Sequence, residues 1–528
     1  MNKVMVVHGY VLSGTGSNLY VRNVVKKMCE VGQDVVLVCQ EFTPEDYDFI
    51  NRCFRQDGAS FNLEFDRDSK YPGKCDIYIP DTKNELLVYV YDKYKHLDVK
   101  EMHTVSDQDI DNYINMNASC IKYIMENEKI DKAYSNHLVL QPQYVSKGIK
   151  DAKSDTKHII IGHGSDLNYA ISNSKYLEKL SIETLKSCNQ LVAVSQHSKE
   201  TMQEFYKDLD LSDCKVIPAG LDEQLYFDMD EKSEKEMLSE YIKTHDQNHG
   251  FNDKVALKIK EMVKNNDFNF NDVDDMYEAK DIEHNIKDKL FDTLYNKDLK
   301  KVIYLGKYLE QKGIIPLILG LPLLYANNPN TNVILVGFGA LRSKIEYIIN
   351  LIEQDKLEVL FNNYEKLNVT LQEDINILNQ LKENLKDANY KEKYYSKISK
   401  LREATLFTGY FDQKYAIRIL CHGKISIFPS IYTEAFGMVI IEAMAAKVTP
   451  LVTKHSGFKE TLETAANEIT DLDINELSVE LDKDMLDNIV AKATTLLNAD
   501  NTHINDEMSE FALKNYGWKE IAKDLLNL

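Results

Sequence analysis

Lys3-Val-Met-Val-Val-His8 runs into Gly9-Tyr-Val-Leu-Ser-Gly14-Thr15-Gly16-Ser-Asn18 and, after the amphipathic stretch from Leu19 to Val31, into Asp34-Val-Val-Leu-Val-Cys39. The two apolar runs do not alternate. Unalternated apolar strands separated by a helix signal a parallel sheet covered on both faces, so the segment reads as the opening βαβ unit of a doubly wound α/β fold. Gly14, Thr15 and Gly16 form a loop after the first strand, where glycine permits close backbone approach to a ligand.

Working outward, further strands are expected at Lys132-Ala-Tyr-Ser, His158-Ile-Ile-Ile, Gln190-Leu-Val-Ala-Val and Lys215-Val-Ile, giving a first domain over 1–227. Residues 228–298 turn polar, rich in Asp, Glu, Lys and Asn, and read as an acidic helical insertion. A second parallel sheet is expected in a domain over 299–510, with strands at Lys301-Val-Ile-Tyr-Leu-Gly306, Asn332-Val-Ile-Leu-Val-Gly337, Thr405-Leu-Phe-Thr-Gly409 and Lys424-Ile-Ser-Ile-Phe428. Within it, about 345–400 carries the Leu/Ile spacing of a helical hairpin, read as a second insertion with a solvated spacer or self-association arm as the plain alternative. A terminal helix over 511–528 holds the single tryptophan, Trp518, as an anchor.

At 528 residues the chain exceeds one hydrophobic core, which agrees with two domains. The formal charge of −21 disfavours nucleic acid or an anionic membrane as a partner bound by charge alone. No run of 18 apolar residues exists and the first apolar segment is too short for a signal peptide, so the expectation is a cytoplasmic protein with no transmembrane segment. The eight cysteines form no C-x-x-C pair and have no Cys/His zinc spacing, and read as reduced structural residues.

The segment richest in chemistry is Phe428-Pro-Ser-Ile-Tyr-Thr-Glu434-Ala-Phe-Gly437-Met-Val-Ile-Ile-Glu442-Ala-Met-Ala445. It reads as strand, loop and helix N-terminus. In an open parallel sheet the ligand crevice lies outside the carboxyl ends of the strands, where a helix N-terminus offers N–H groups to a phosphate. A carboxylate there would be repelled by the phosphate, so Glu434 and Glu442 suit sugar and ribose hydroxyls. Lys307 and Lys312, after the first strand of the second domain, can close on a diphosphate. His163, in Gly162-His163-Gly164-Ser-Asp166, and His137, in Ser135-Asn-His137, each follow a strand and are site candidates; a satisfied structural histidine is the alternative for both.

The ordered set of these motifs resembles the retaining, nucleotide-sugar-dependent glycosyltransferases of family 4. It comprises the glycine loop at 14–16, His163-Gly-Ser-Asp166-Leu, Val194-Ser-Gln-His-Ser198, Val216-Ile-Pro-Ala-Gly220-Leu-Asp222, Gly306-Lys307 with Lys312-Gly313, Val336-Gly337-Phe-Gly339, Phe407-Thr-Gly409 and the Glu434/Glu442 pair. The resemblance implies the GT-B fold, two Rossmann-like parallel-sheet domains facing a cleft, with the nucleotide sugar on the second domain and a hydroxyl acceptor on the first. It implies that Glu442 bonds the ribose, that Glu434 holds the donor sugar, and that Lys307 and Lys312 neutralise the diphosphate leaving group. Gly14, Thr15, Gly16, Gly337, Gly409 and Gly437 would lie on the nucleotide-sugar side, His137 against the donor sugar, and His163 and Asp166 on the acceptor side. Retention is pictured as attack on the face the phosphate leaves, so no protein nucleophile is implied. No metal or further cofactor is required by this logic. The family commonly has arginine where this chain has Lys307, which keeps the charge and loses the bidentate fork.

Two other readings compete. A nicotinamide-dependent oxidoreductase would use Gly14-Thr15-Gly16 for a dinucleotide and Glu41 for its ribose, but the third glycine of that fingerprint is out of register. A non-catalytic partner or scaffold subunit would keep the fold and assemble through the insertions. Asp471-Leu-Asp473 and Asp482-Lys-Asp484 follow no apolar strand and read as solvated carboxylates rather than metal ligands.

Overall fold

The structure, a computed structural model, describes residues 3–14, 16–89, 97–246, 251–274 and 281–528. Two compact units divide the chain, Met1–Asp222 with Tyr516–Leu528, and Glu223–Asn515. Each is an α/β body built on a parallel sheet.

The first unit holds a nine-stranded sheet in the order Lys215–Val216, Gln190–Ala193, Lys157–Gly162, Ile130–Asn136, Lys3–Val7, Val35–Val38, Cys75–Ile79, Ile50–Asp57, Ser60–Asp66. Lys3–Val7 is central and pairs in parallel with Val35–Val38 on one side and Ile130–Asn136 on the other, which is why all but its first residue is buried. All neighbours are parallel except the edge hairpin of Ile50–Asp57 with Ser60–Asp66. That hairpin was not among the expected strands, although Asp57-Gly58 is a hairpin turn signal and Phe61-Asn-Leu-Glu-Phe65 alternates as a half-buried edge strand does.

The second unit carries six parallel strands in the order Thr405–Gly409, Thr331–Val336, Lys300–Leu305, Ile425–Phe428, Thr449–Thr453, Ser478–Val479. Helices Glu231–His245, Asp253–Asn265 and Ile286–Leu294 belong to this unit, two of them opened by side-chain caps from Asp230 and Asn252. Just before the third of these helices, Ile282 forms an isolated bridge to Gly409 at the sheet edge.

The stretch at 345–400 is not a hairpin but a run of short helices, Arg342–Glu353, Leu357–Phe361, Gln372–Asn384, Ala388–Tyr395 and Ile398–Glu403. Their packing explains an otherwise odd helix. Ile314–Asn327 reads Ile-Ile-Pro-Leu-Ile-Leu-Gly-Leu-Pro-Leu-Leu-Tyr-Ala-Asn, apolar all round, and such a helix must be covered on every side. Met485–Asn498 covers one side, and the helices at 372–384, 388–395 and 398–403 cover another, with the Tyr394 hydroxyl donating to the Leu319 carbonyl at 2.9 Å.

In place of one terminal helix over 511–528, the chain forms Thr502–Asn515 in the second unit and Trp518–Leu526 in the first. Leu221 N–H donates to the Tyr516 carbonyl and Trp518 N–H to the Leu221 carbonyl, so both passages between units leave the first one side by side. Gly220 is required there, because a Cβ would lie 2.7 Å from both the Trp518 ring and Ile521. Trp518 is fully buried and meets the Tyr20 ring edge-on at 5.2 Å. Trp518→Ala is expected to destabilise the first unit by about 3–5 kcal/mol, read by chemical denaturation followed by circular dichroism.

Candidate active site

In the second unit, the loop after strand Lys300–Leu305 and the loop after strand Ile425–Phe428 lie against each other at the carboxyl ends of neighbouring strands. Ile431 and Tyr432 N–H groups donate to the Gln311 carbonyl at 2.9 and 3.1 Å, with Ser430 Oγ 3.1 Å from the same oxygen. Gly313, at φ +64°, permits this approach; a Cβ would fall 1.8 Å from the Pro429 carbonyl oxygen. Lys312 Nζ then reaches Glu434 Oε1 at 2.5 Å, and Ser430 Oγ donates to the same oxygen at 2.7 Å. The Glu434 N–H is held by Ser456 Oγ and its carbonyl by the Gly457 N–H, both at 2.9 Å.

Burial works against the Glu434 carboxylate, yet Lys312 and Ser430 outweigh it and hold its pKa below the usual range. The pair is asymmetric, with the lysine side chain 38% exposed and the glutamate 14%.

Gly437, at φ +82°, opens the helix Met438–Ala445, and a Cβ there would meet the Phe458 ring at 2.4 Å. One turn in, Glu442 is buried and accepts from Gln413 Nε2 at 2.8 Å; burial raises its pKa. Gln413, from helix Gln413–Leu420, was not foreseen. Lys307 lies beside Phe338, its Nζ 5.7 Å from the ring centroid, and its carbonyl accepts the Tyr304 hydroxyl. Gly337 and Gly409, proposed from sequence as ligand contacts, each pack closely against another stretch of chain. A Cβ on Gly337 would lie 1.8 Å from the Gly306 carbonyl oxygen, and one on Gly409 2.4 Å from that of Asp281.

In the first unit, His8, His137 and His163 follow the adjacent strands Lys3–Val7, Ile130–Asn136 and Lys157–Gly162, and all three are buried. His137 sits at φ +68°, a left-handed conformation uncommon for a non-glycine residue and concentrated at functional sites. Its ring centroid is 4.9 Å from those of His163 and Tyr89, and 6.2 Å from that of His8. Neither ring nitrogen of His137 has a hydrogen-bond partner among the described residues. His163 Nε2 bonds Asn136 Oδ1, and His8 Nε2 bonds Asn18 Oδ1, both at 2.9 Å. Asn18 Nδ2 in turn donates to the Ser13 carbonyl, which ties the glycine loop to His8. Gly14 and Gly16 adopt positive φ, and Gly16 precedes the helix Ser17–Glu30; Thr15 lies outside the described residues. His8 was missed from sequence, although it ends its strand as the two predicted histidines follow theirs.

Burial lowers the His8 pKa to about 4 and that of His163 to about 3, and pushes His137 well down, so the three rings are neutral at pH 7. Asp166 is raised to about 6 by burial, partly offset by backbone N–H groups, among them that of Leu138. Asp166 Oδ1 lies 3.9 Å from His137 Nδ1, too far for a hydrogen bond, and with the imidazole neutral the contact is no ion pair. The three neutral imidazoles can exchange hydrogen bonds with hydroxyl groups without adding positive charge beside Asp166.

Glu41 is occupied otherwise, since Oε2 accepts the Leu12 N–H at 2.7 Å and Oε1 the Phe42 N–H at 2.9 Å. Asp473 and Asp482 accept the backbone N–H groups of Asn475 and Asp484. Among the described residues no group of three or more His, Cys, Asp or Glu side chains is arranged to hold a metal, and no helix is long and apolar enough to cross a membrane.

The fold defined by these two units is that of the GT-B proteins, and the comparisons narrow it by one step. The family described as Glycosyl transferases group 1 matches residues 385–470, a stretch that contains Glu434 and Glu442. Among solved structures, sucrose-phosphate synthase from Thermosynechococcus elongatus is similar at 12% identity and TM-score 0.54, over 100% of this chain and 98% of that one. A glycosyltransferase from Rickettsia africae is similar at 15% identity and TM-score 0.54, again over 100% and 98%. Anabaena HepE in complex with UDP is similar at 12% identity and TM-score 0.53, over 99% and 98%. No curated protein matches the chain by sequence.

Two outcomes are expected from the electrostatics. Lys312→Met strands a largely enclosed carboxylate whereas Glu434→Gln leaves a lysine that can turn to water, so K312M should cost about 1–2 kcal/mol more in thermal stability than E434Q at pH 7. Asp166 has a raised folded pKa, so its contribution is fully present below its unfolded pKa near 4 and is lost as pH rises through about 6. Asp166→Asn should therefore match the wild type in melting temperature near pH 4 and exceed it above pH 6.

Proposed function

We propose that the protein is a retaining glycosyltransferase that moves a hexose-type sugar from a nucleoside diphosphate sugar to a hydroxyl acceptor. The observation that carries this reading is the Lys312–Glu434 pair beside the N-terminus of the Gly437-led helix, at the carboxyl ends of a parallel sheet, with buried Glu442 one turn inside. The group 1 match over that stretch supports it, as do structural relatives that include a sucrose-phosphate synthase and a UDP complex.

In this reading Glu442, positioned by Gln413, accepts from a ribose hydroxyl, and Glu434 accepts from a hydroxyl of the donor sugar. Lys307 and Lys312 neutralise the charge that builds on the β-phosphate as the bond from the anomeric carbon to the phosphate oxygen breaks, the main electrostatic task of the step. The acceptor oxygen bonds the anomeric carbon on the same face and its proton passes to the departing phosphate oxygen, so no enzyme nucleophile takes part. His137, His163 and Asp166 supply hydrogen bonds to sugar and acceptor hydroxyls. No metal is required, because the lysines carry the neutralising charge. Glu41 is already bonded to backbone amides, which counts against the oxidoreductase alternative.

A thermal-shift screen against UDP, GDP and ADP tests the reading, with UDP first because the Anabaena relative carries it. A nucleotide at about a hundred times its dissociation constant should add about 2.7 kcal/mol of stability. The gain should vanish in Glu442→Ala and Lys312→Ala and survive in His137→Ala, whose loss should appear in turnover of the nucleotide sugar. Absence of a shift with every nucleotide would favour the scaffold alternative.

A further inference from the structure

We propose that the helical insertion at 357–403 positions the diphosphate-binding lysines through Glu310, a residue with no assigned part in the chemistry. The inference rests on the donor-site reading above.

Glu310 lies between Lys307 and Lys312, in the 3-10 turn Glu310–Lys312, and is buried. Its carboxylate faces the insertion. Oε1 accepts the N–H groups of Thr370 and Leu371, the latter at 2.7 Å, and Oε2 accepts the Thr370 hydroxyl at 2.9 Å. These two residues immediately precede the helix Gln372–Asn384, so one carboxylate fixes the chain's entry into an insertion helix from a loop about sixty positions earlier. The same short loop is gripped on its other side by Ser430, Ile431 and Tyr432 at the Gln311 carbonyl and by Glu434 at Lys312. The lysine-bearing turn is thus held between the Pro429–Glu434 loop and the insertion.

Asp374, in the first turn of the same helix, gives a second sign of the fit. It is fully enclosed, and neither carboxylate oxygen has a partner among the described residues. Burial, then the charges of Glu310 and Glu373, push it well above the usual carboxylate range. The rise has a geometric cause, since the enclosed carboxyl shares its surroundings with the Glu310 and Glu373 carboxylates, and a proton on Asp374 would relieve that repulsion.

The test disturbs the insertion and reads the lysine loop. Thr370→Val removes the hydroxyl donor, and Leu371→Pro removes one N–H at a backbone φ of −69°, which proline adopts. Tyr390→Phe serves as the control, loosening the insertion at its far anchor, where the Tyr390 hydroxyl donates to Asp487 at 2.7 Å. By calorimetry with whichever of UDP, GDP and ADP binds the wild type, the T370V/L371P protein should bind about tenfold more weakly, the loss of hydrogen bonds to a charged group being of that order. Y390F should lower the melting temperature and leave the affinity within about twofold. Glu310→Gln, which retains an acceptor oxygen, should keep the affinity that Glu310→Ala loses. Unchanged affinity in T370V/L371P, or an equal loss in Y390F, overturns the proposal. If the wild type binds no nucleotide, the donor-site reading fails by itself. Hydrogen exchange of segment 305–313 then decides the coupling, since faster exchange in T370V/L371P but not in Y390F supports it and unchanged exchange refutes it.

Discussion

The pairing of Lys312 with Glu434 depends on two loops whose backbones come closer than ordinary side chains permit. Gly313 against the Pro429 carbonyl, Gly437 against Phe458 and Gly457 against the Glu434 carbonyl are all positions where a Cβ would collide. A carboxylate largely withdrawn from water is tolerated only where its charge is compensated, and Lys312, with a hydroxyl from Ser430, compensates it here. The cation is the exposed member of the pair. It can meet an incoming anion, while the carboxylate and its helix stay fixed. The site therefore combines a rigid acceptor of hydroxyl hydrogen bonds with a lysine that retains access to solvent.

The first unit solves a different problem. Three histidines at the ends of adjacent strands are kept neutral by burial, and His137 holds unpartnered ring nitrogens in a strained backbone conformation. Unsatisfied buried polar atoms are costly in a folded protein, so a cluster of them at strand ends points to a hydrogen-bonding role outside the chain's own packing. Its neutrality suits sugar hydroxyls better than phosphate.

Much of this was legible in the sequence, for identifiable reasons. Apolar strands without alternation announced the parallel sheets, and the run from Phe428 to Ala445 announced strand, loop and helix because Pro429 and Gly437 punctuate it. Other features depend on which segments meet in space. The close approaches of Gly337 to Gly306 and of Gly409 to Asp281 carry no mark in the sequence, because the partners come from distant segments. Glu310 reads as one charged residue in a polar loop until Thr370 and Leu371 are found against it. The strand Thr449–Thr453 was hidden by Pro450, and the terminal break at Gly517 by helix-forming residues on either side. His8 was within reach, since strand-end position was already the criterion applied to the other two histidines.

The central claim is that the carboxyl ends of the second sheet bind a nucleoside diphosphate. Diffraction from crystals soaked with UDP or GDP tests it most directly. The account predicts density for the diphosphate within ion-pair distance of Lys312, with a ribose hydroxyl on Glu442. Nucleotide bound instead along the Gly14–Gly16 loop of the first unit, with Lys312 and Glu442 untouched, would contradict it.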